Sequence, residues 1–419
     1  MQPHGSLERN VRWRLVAPLT VLLLLSSLDR VNISFAALGM NQALGLTPSQ
    51  YGFGAGVLFV GFLLGQYPSV MLLQRIGMRR WISSCAVLWA LAAAGTTLVH
   101  SPLQFYALRI LLGVAEGGLA PGIVLYLSQF TTEADRARTF GIPMIAIPLS
   151  VALGSPLSGG LMSMVAPIHL APWRWLLIAE AVPALLLGIA ARGYFPDHAT
   201  EARWLSAQDV EFLQLQAAAQ LRGRTRNDWS VLREPLVWLA SLVWFCLLCG
   251  SYGIIFWLPQ MVKALTGHSP LAIGWINALP WLAAAIGTYV NAVHSDRTAE
   301  RFWHVAAPAL LAAAAAVAAW QLDGGPAGLA ALVALGLGLG AAQGAFWSIP
   351  TRLLTRSSLA VAAVMINLVG SAGGLVMPHL IGYGIELGGG PGSASLLIAA
   401  ALAAAAVLTL LIRARGAHA

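Results

Sequence analysis

The sequence predicts an all-α integral membrane protein of twelve transmembrane helices, and three observations carry that prediction. The chain of 419 residues is 58% hydrophobic and only 10% charged, whereas soluble domains carry roughly 25% charged residues. Its mean hydropathy is +0.74, and long apolar stretches recur from end to end, broken by short Gly/Pro or Arg-bearing segments. Twelve spans of about 20 residues would use about 240 residues, close to the apolar residues that 58% of 419 supplies. Runs such as LLAAAAAVAAWQL (310–322) are apolar on every face with no period of two, which argues against a β-barrel. With three Cys the chain is no disulfide scaffold, and its composition is neither disordered nor collagen-like.

Taken in order, the expected helices are 14–38, 50–74, 80–99, 102–130, 138–164 and 173–195, then 235–264, 270–293, 302–321, 326–350, 357–384 and 394–412. The first has the grammar of a signal peptide, with Arg9, Arg12 and Arg14 before the apolar run from Leu15 to Leu28. Asp29 and Arg30 interrupt that run and apolar helix resumes through Ile33–Leu38, so it is read as a retained span. The one long polar stretch, 196–234, divides the chain into an N-terminal six-helix bundle (1–195) and a C-terminal one (235–419). Within it, Ser206-Ala-Gln-Asp209 has the capping-box pattern, with Leu205 and Val210 placed as a hydrophobic staple, and predicts a short amphipathic helix. An internal repeat supports the division: a shift of 222 residues carries Trp13 onto Pro235 and Arg75 onto Arg297. A weaker echo pairs GVAEGG (113–118) with GAAQGA (340–345).

Net charge +8 and pI 9.9 suggest nucleic-acid binding until the charges are placed. Twenty of the 24 basic residues fall on one side of this layout. They are Arg9, Arg12, Arg14, Arg75, Arg79, Arg80, Arg136, Arg138, Arg192, Arg203, Arg222, Arg224, Arg226, Arg233, Arg297, Arg301, Arg352, Arg356, Arg413 and Arg415. By the positive-inside rule both termini and the central loop are cytoplasmic, and the expected location is the cell (inner) membrane. Anionic lipid headgroups, not nucleic acid, are then the neighbours.

Charged residues inside spans are the sharpest chemical signal, since each costs about 2.5–3.5 kcal/mol on insertion scales. Asp29 and Arg30 lie on helix 1, Arg109 and Glu116 on helix 4, and Glu180 on helix 6. Arg109 and Glu116 are seven apart, within about 20° of one helix face. Gly113, Gly117 and Gly118 around them permit close helix approach. Asp29 with Arg109, and Arg30 with Glu116, are the expected pairs. A network that only fixes helix packing is the competing reading, although such pairs rarely add stability over apolar packing. Glu180, near Trp173 and Trp175, fits either a functional role or contact with interfacial polar groups.

Tyr252, Trp257 and Gln260 lie on helix 7, where Pro259 can loosen the cytoplasm-distal end, and as aromatic or polar span residues they fit packing equally well. Asn367, in mid-helix 11, is expected to be a buried carboxamide in need of partners. Cys246-Leu-Leu-Cys249 has no second pair nearby and reads as small core residues. No His pattern suits a metal, and neither a Walker A sequence nor a G-x-S-x-G elbow occurs, so no cofactor, metal or enzymatic activity is expected. A sensor would carry a soluble output domain, for which 196–234 is too short.

LDRVNISFAALGMN (28–41), YGFGAGVLFVGF (51–62), RILLGVAEGGLAPGIVLYL (109–127), YGIIFWLPQMVK (252–263) and HSDRTAERFWH (294–304) together resemble the anion:cation symporter family of the major facilitator superfamily. The resemblance implies the major facilitator fold, two pseudo-symmetric six-helix bundles rocking around a central site, and uptake of an organic anion with protons. By position, it implies that Asp29 and Glu116 couple protons, that Arg30 meets the substrate carboxylate and that Arg109 pairs with the acids. Trp347 and Asn367, with Tyr252, fall at site-lining positions of the second half. Arg75, Gly77, Arg79 and Arg80 match the superfamily's basic turn after helix 2, with Gln74 where an aspartate is usual; Asp296 and Arg297 keep the pattern in the second copy. Phe62 stands where sugar-acid relatives place a tyrosine, and Gly344 and Ala345 replace hydroxyl-bearing residues. A site reading many substrate hydroxyls needs such donors, which favours a tartrate-like dicarboxylate or an aromatic carboxylate over a sugar acid. A proton-driven drug-efflux antiporter is the alternative, since GSPLSGG (154–160) approaches the antiporter pattern with Ser155 in place of its glycine. A monomer is expected.

Overall fold

The structure is a computed structural model that describes residues 4–131, 135, 139–140, 142–143, 146–165, 169–222, 228–322 and 325–416. Among these, every regular element is helical, and ten helices are long and apolar enough to cross a membrane. The longest, Pro48–Leu98, has 51 residues, about 75 Å at 1.5 Å per residue, more than twice a hydrocarbon core of about 30 Å. It is broken at Gly77 (φ 80°, ψ 170°) into two spans. With Ala146–Ser163 in the place of the fifth, the expected twelve are present. They are α1 (Leu7–Leu44), α2 (48–76), α3 (78–98), α4 (Pro102–Leu127), α5 (Ala146–Ser163), α6 (Pro172–Tyr194), α7 (Pro235–Thr266), α8 (Pro270–Thr298), α9 (Trp303–Gln321), α10 (Pro326–Leu353), α11 (Arg356–Gly384) and α12 (Gly390–Gly416). The expected start of the fifth span at 138, with Arg136, Arg138, Arg224 and Arg226, lies outside the described residues.

Local sequence explains where the helices begin and end. Proline opens α2, α4, α6, α7, α8 and α10, where its missing N–H costs nothing and its fixed φ suits a first turn. Gly45 (φ 61°) ends α1 and Gly267 (φ 64°) ends α7 in the left-handed conformation. Thr47 then caps α2 and Ser269 caps α8. Gly45-x-Thr47-Pro48 and Gly267-x-Ser269-Pro270 are 222 residues apart, so the repeat recurs in backbone conformation as well as in sequence. In the central loop, the Ser206 hydroxyl accepts from the Asp209 N–H at 3.1 Å, and Asp209 accepts from the Ser206 hydroxyl and N–H, which starts helix Ala207–Arg222.

Within the first six helices, α2 packs on α4, α3 on α6, and α1 on α5 and α6. A Cβ at Gly113 would lie 2.0 Å from the Leu58 carbonyl, so α4 rests on the backbone of α2 as the glycines predict. In the last six, α10 packs on α8 and α9, and α7 on α11 and α12. The two sets meet through α5–α8, α2–α11 and α1–α7. Hydrogen bonds join them at the end opposite the basic loops, hereafter the far end. Tyr51 donates to Phe256 O at 2.8 Å, Asn41 to Gln260 at 3.2 Å and Asn277 to Ser155 at 2.7 Å. The Ser49 N–H and hydroxyl both donate to Glu386, at 2.9 and 2.8 Å. Toward the basic end, faces of α2 (Leu64, Tyr67), α8 (Tyr289, Val290) and α11 (Val364) are exposed. The two sets are closed at the far end and part toward the basic one.

Candidate functional site

The buried charges converge where α1 meets α4. Arg30 donates from Nη2 to Glu116 Oε2 at 3.1 Å, with 14% of the arginine side chain and 1% of the glutamate side chain exposed. The guanidinium also stands 5.7 Å from the Phe62 ring centroid, a cation–π distance. The second expected pair does not form. Asp29 Oδ1 accepts from Asn32 Nδ2 at 2.9 Å, and Arg109 donates from Nη2 to Ala55 O at 3.3 Å. Close glycine packing of α4 on α2 sets Arg109 against a backbone carbonyl of α2, while Asn32, one turn along α1, reaches Asp29 first. Asp29 and Arg109 nevertheless remain within each other's electrostatic reach.

This cluster is incompletely satisfied. Asp29 Oδ2, Arg30 Nε, Arg109 Nε and Glu116 Oε1 are all buried without a hydrogen-bond partner among the described residues. Native interiors pair the large majority of such atoms. Two acids and two guanidiniums with spare capacity, meeting in one place, can take up a proton and an anionic group.

The second half presents a different surface. Tyr252 on α7 meets Phe59 edge-on at 4.4 Å and stacks on Phe256, within electrostatic reach of Arg30 and Glu116. One position before it, Ser251 accepts from Gln343 Nε2 of α10 at 2.6 Å. Trp347 belongs to a separate aromatic group with Trp244 and Phe346, at 5.4 and 5.5 Å. Asn367 departs from expectation. It is exposed, with no hydrogen-bond partner among the described residues, on the side of α11 that carries exposed Val364 and Leu368. Its carboxamide is therefore not the buried one expected. Trp257 and Gln260 serve the far end, donating to Pro378 O at 3.0 Å and accepting from Asn41.

Glu180 is buried and accepts from Ser158 of α5 at 2.8 Å, rather than contacting interfacial groups beside the tryptophans. Cys249 packs between α7 and α11, its Sγ 3.9 Å from Gly373 O. Asn32, Ser158, Ser251 and Gln343 escape sequence reasoning because neutral side chains in a span carry no obvious cost. For Gln343 the signal exists in the GVAEGG/GAAQGA echo, which sets it opposite Glu116.

The two basic turns also correspond. Gly77 and Ala299, 222 apart, both adopt positive φ, 80° and 54°. Arg79 compensates for Gln74: its N–H donates to Asp197 at 2.9 Å, its Nε to Phe195 O at 2.7 Å, and its Nη2 pairs with Glu201. The acid missing from the turn is thus supplied by the segment after α6. In the second copy Asp296 pairs with Arg301 at 2.6 Å, and Arg352 donates to Ala299 O at 3.2 Å. Arg75, Arg80 and Arg297 are exposed and form no ion pair among the described residues.

Known proteins show the same architecture. A "Putative tartrate transporter" of Agrobacterium vitis is 38% identical over 407 residues, covering 96% of this chain and 90% of that protein. A "Quinolone resistance transporter" of Acinetobacter baumannii is 30% identical over 411 residues, covering 97% and 95%. Among solved structures, a bacterial homolog of the human lysosomal transporter Spinster, inward-facing and unoccupied, matches with a TM-score of 0.77 at 18% identity, covering 96% of this chain and 95% of that one. The profile of the Major Facilitator Superfamily matches residues 19–378. Twelve helices, a twofold repeat in backbone and sequence, and that match together make the chain a multi-pass membrane transporter, not an enzyme, that belongs to the Major Facilitator Superfamily.

Proposed function

We propose that the protein imports a small organic acid anion, a tartrate-like dicarboxylate or an aromatic carboxylate in preference to a sugar acid, by proton symport. The observation that carries this reading is the set of buried, unmatched atoms on Asp29, Arg30, Arg109 and Glu116. Facing outward, Glu116 and Asp29 take protons from the water that reaches the cluster. Arg30, released from Glu116, and Arg109 then meet the substrate carboxylate, which a guanidinium fork can hold bidentately. Substrate and protons together neutralise the cluster, so the loaded site crosses the occluded state at lower cost than one with unpaired charge. Helices within 1–195 and 235–419 move as two bodies linked by 196–234, and the described conformation, open at the basic end, is the releasing one. Both termini lie in the cytoplasm and the membrane is the inner one. The protein works as a monomer among anionic lipids.

The anionic cargo is supported by the tartrate relatives, and a less hydroxylated one by the composition at 344–345. Gly344 and Ala345 carry no hydroxyl, and Thr288 beside them donates to Ala284 O and Gly340 O. A thermal-shift screen of the purified protein against tartrate, sugar acids, phthalate and hydroxyphenylacetates tests the class, because ligand binding raises apparent stability by mass action. Stabilisation by dicarboxylates is expected, and stabilisation by lipophilic cations alone would overturn the reading. In proteoliposomes, Glu116→Gln should abolish uptake driven by an acid exterior while retaining anion exchange. Accumulation equal to wild type would remove Glu116 from proton coupling.

Drug efflux is the second reading, favoured by the quinolone-resistance relative. Against it, the GSPLSGG stretch has a packing role: a Cβ at Gly159 would lie 2.3 Å from Pro270 O, and Ser155 bonds to Asn277. A lipophilic cation also has no use for Arg30 beside Asp29. Outward movement of such a cation, unchanged in Arg30→Ala, would favour efflux.

A further inference from the structure

A third acid lies outside the quartet. Glu180 on α6 is 7% exposed, and Asp29 is 3% exposed. Glu180 Oε1 accepts from Ser158, but its Oε2, like Asp29 Oδ2, is buried with no hydrogen-bond partner among the described residues. Asn32 stands between the two acids: its amide donates to Asp29 Oδ1 at 2.9 Å, and its side chain also faces Glu180. Asn32 is three residues beyond Asp29 on α1, about 4.5 Å of helical rise toward the far end. Glu180 therefore flanks the charge cluster on its far side, near the seam where Ser155, one turn before Ser158, meets Asn277 of α8.

Among the described residues no cation pairs with this acid. From α1 it faces Asp29 and Asn32, and from α5 it faces Ser158. α3, packed against α6, carries no charged residue between Trp81 and Leu98. On α6 itself Arg174 is turned to the Trp173 ring, 4.9 Å from its centroid. Two acids on packed helices, each with a buried oxygen that has no hydrogen-bond partner among the described residues, have room to hold a proton. A purely structural hydrogen bond to Ser158 would be met equally well by a glutamine.

We propose that Glu180 and Asp29 form a proton-holding pair with Asn32 between them, and that Glu180 carries one of the protons that move with the substrate. With the far end open, water delivers a proton to Glu180 Oε2, forming the neutral acid. With the basic end open, that O–H bond breaks and the proton returns to water. This inference rests on the proton-symport reading, and the experiment separates the two. In proteoliposomes, the proton-to-anion ratio is read from reversal potentials under imposed pH gradients, with tartrate as the probe. Wild type should accumulate tartrate when the outside is acid; if it does not, or if sodium alone drives it, the symport reading itself fails. Given that accumulation, Glu180→Gln should transport with one proton fewer per anion, and Glu180→Asp should restore the wild-type ratio. An unchanged ratio in Glu180→Gln would overturn the role of Glu180 and leave symport standing. Asn32→Ala, which keeps both acids and removes the carboxamide between them, gives a second readout should Glu180→Gln not fold. It should move the pH midpoint of tartrate accumulation by about tenfold in proton concentration, and an unmoved midpoint would also overturn the pair.

Discussion

Between α1 and α4, Arg30 meets Glu116; at the corresponding place between α7 and α10, Gln343 meets Ser251. Ser251 and Tyr252 stand 222 residues beyond Asp29 and Arg30, and Gln343 stands at the echo of Glu116, so the second half joins the corresponding pair of helices through the position equivalent to Asp29 rather than Arg30. In the second half a neutral hydrogen bond between the two helices is enough. Helix packing therefore does not demand an ion pair, and a buried pair adds little stability over neutral contacts. The charges of the first half are then retained for what they bind, while the second half supplies a neutral, aromatic wall.

The largest effect that would break this comparison is expected at Arg30. Arg30→Ala strands a buried glutamate, at a cost of about 3–5 kcal/mol, and tartrate uptake should fall by about 100-fold or more. Its counterpart Tyr252→Phe keeps the ring contact with Phe59 and should stay within about fivefold, since one neutral hydrogen bond from its hydroxyl to the anion would be worth about 1 kcal/mol. Initial uptake rates measured side by side check both, and equal losses would refute the division of labour. A smaller effect separates the basic turns. Gly77→Ala places a Cβ 2.6 Å from the Asp197 carboxylate at φ 80° and ψ 170°, a conformation open essentially to glycine alone that costs other residues about 1–3 kcal/mol. Ala299→Gly relieves the milder left-handed strain at φ 54° and should leave thermal stability in detergent unchanged or raised. The smallest effect belongs to Asp197→Asn. Its pairing with Arg79 is partly exposed, 38% and 25%, and loss of such a pair costs about 0.2–1 kcal/mol. Chemical denaturation should register it only at low salt.

Much of the fold is legible in the sequence because the bilayer imposes a length and a polarity on each span. Among the limits inside the described residues, most fall within a few residues of expectation; α1 runs from Leu7 to Leu44 against the expected 14–38, because Leu7, Val11 and Leu15 are buried at its start and Gly45 ends it. Burial of the five span charges and the Arg30–Glu116 contact are equally legible, since charges inside a span are costly and rare. Partners supplied by neutral groups are not. Asn32 takes the place expected for Arg109 at Asp29, and a backbone carbonyl takes the place of Asp29 at Arg109. Asn367 misleads for a related reason: mid-span position does not fix which face of α11 a side chain occupies. Arg79 finds Asp197 and Glu201 about 120 residues away, a distance over which no local pattern speaks.

The far-end seam has a consequence of its own. It is fastened by neutral donors, serine, tyrosine and asparagine, and by glycines laid on carbonyls, as where a Cβ at Gly52 would lie 2.1 Å from Pro378 O. Each fastening is worth about 1 kcal/mol net and water can replace it, so the seam works as a zipper with shallow teeth. Two ionisable side chains also sit there, Glu386 on the Ser49 N–H and hydroxyl and His379 with its Nδ1 3.3 Å from the Ser49 carbonyl. A latch made mostly of neutral teeth, with both of these groups gathered at one serine, concentrates whatever acidity can do to the gate at that single point.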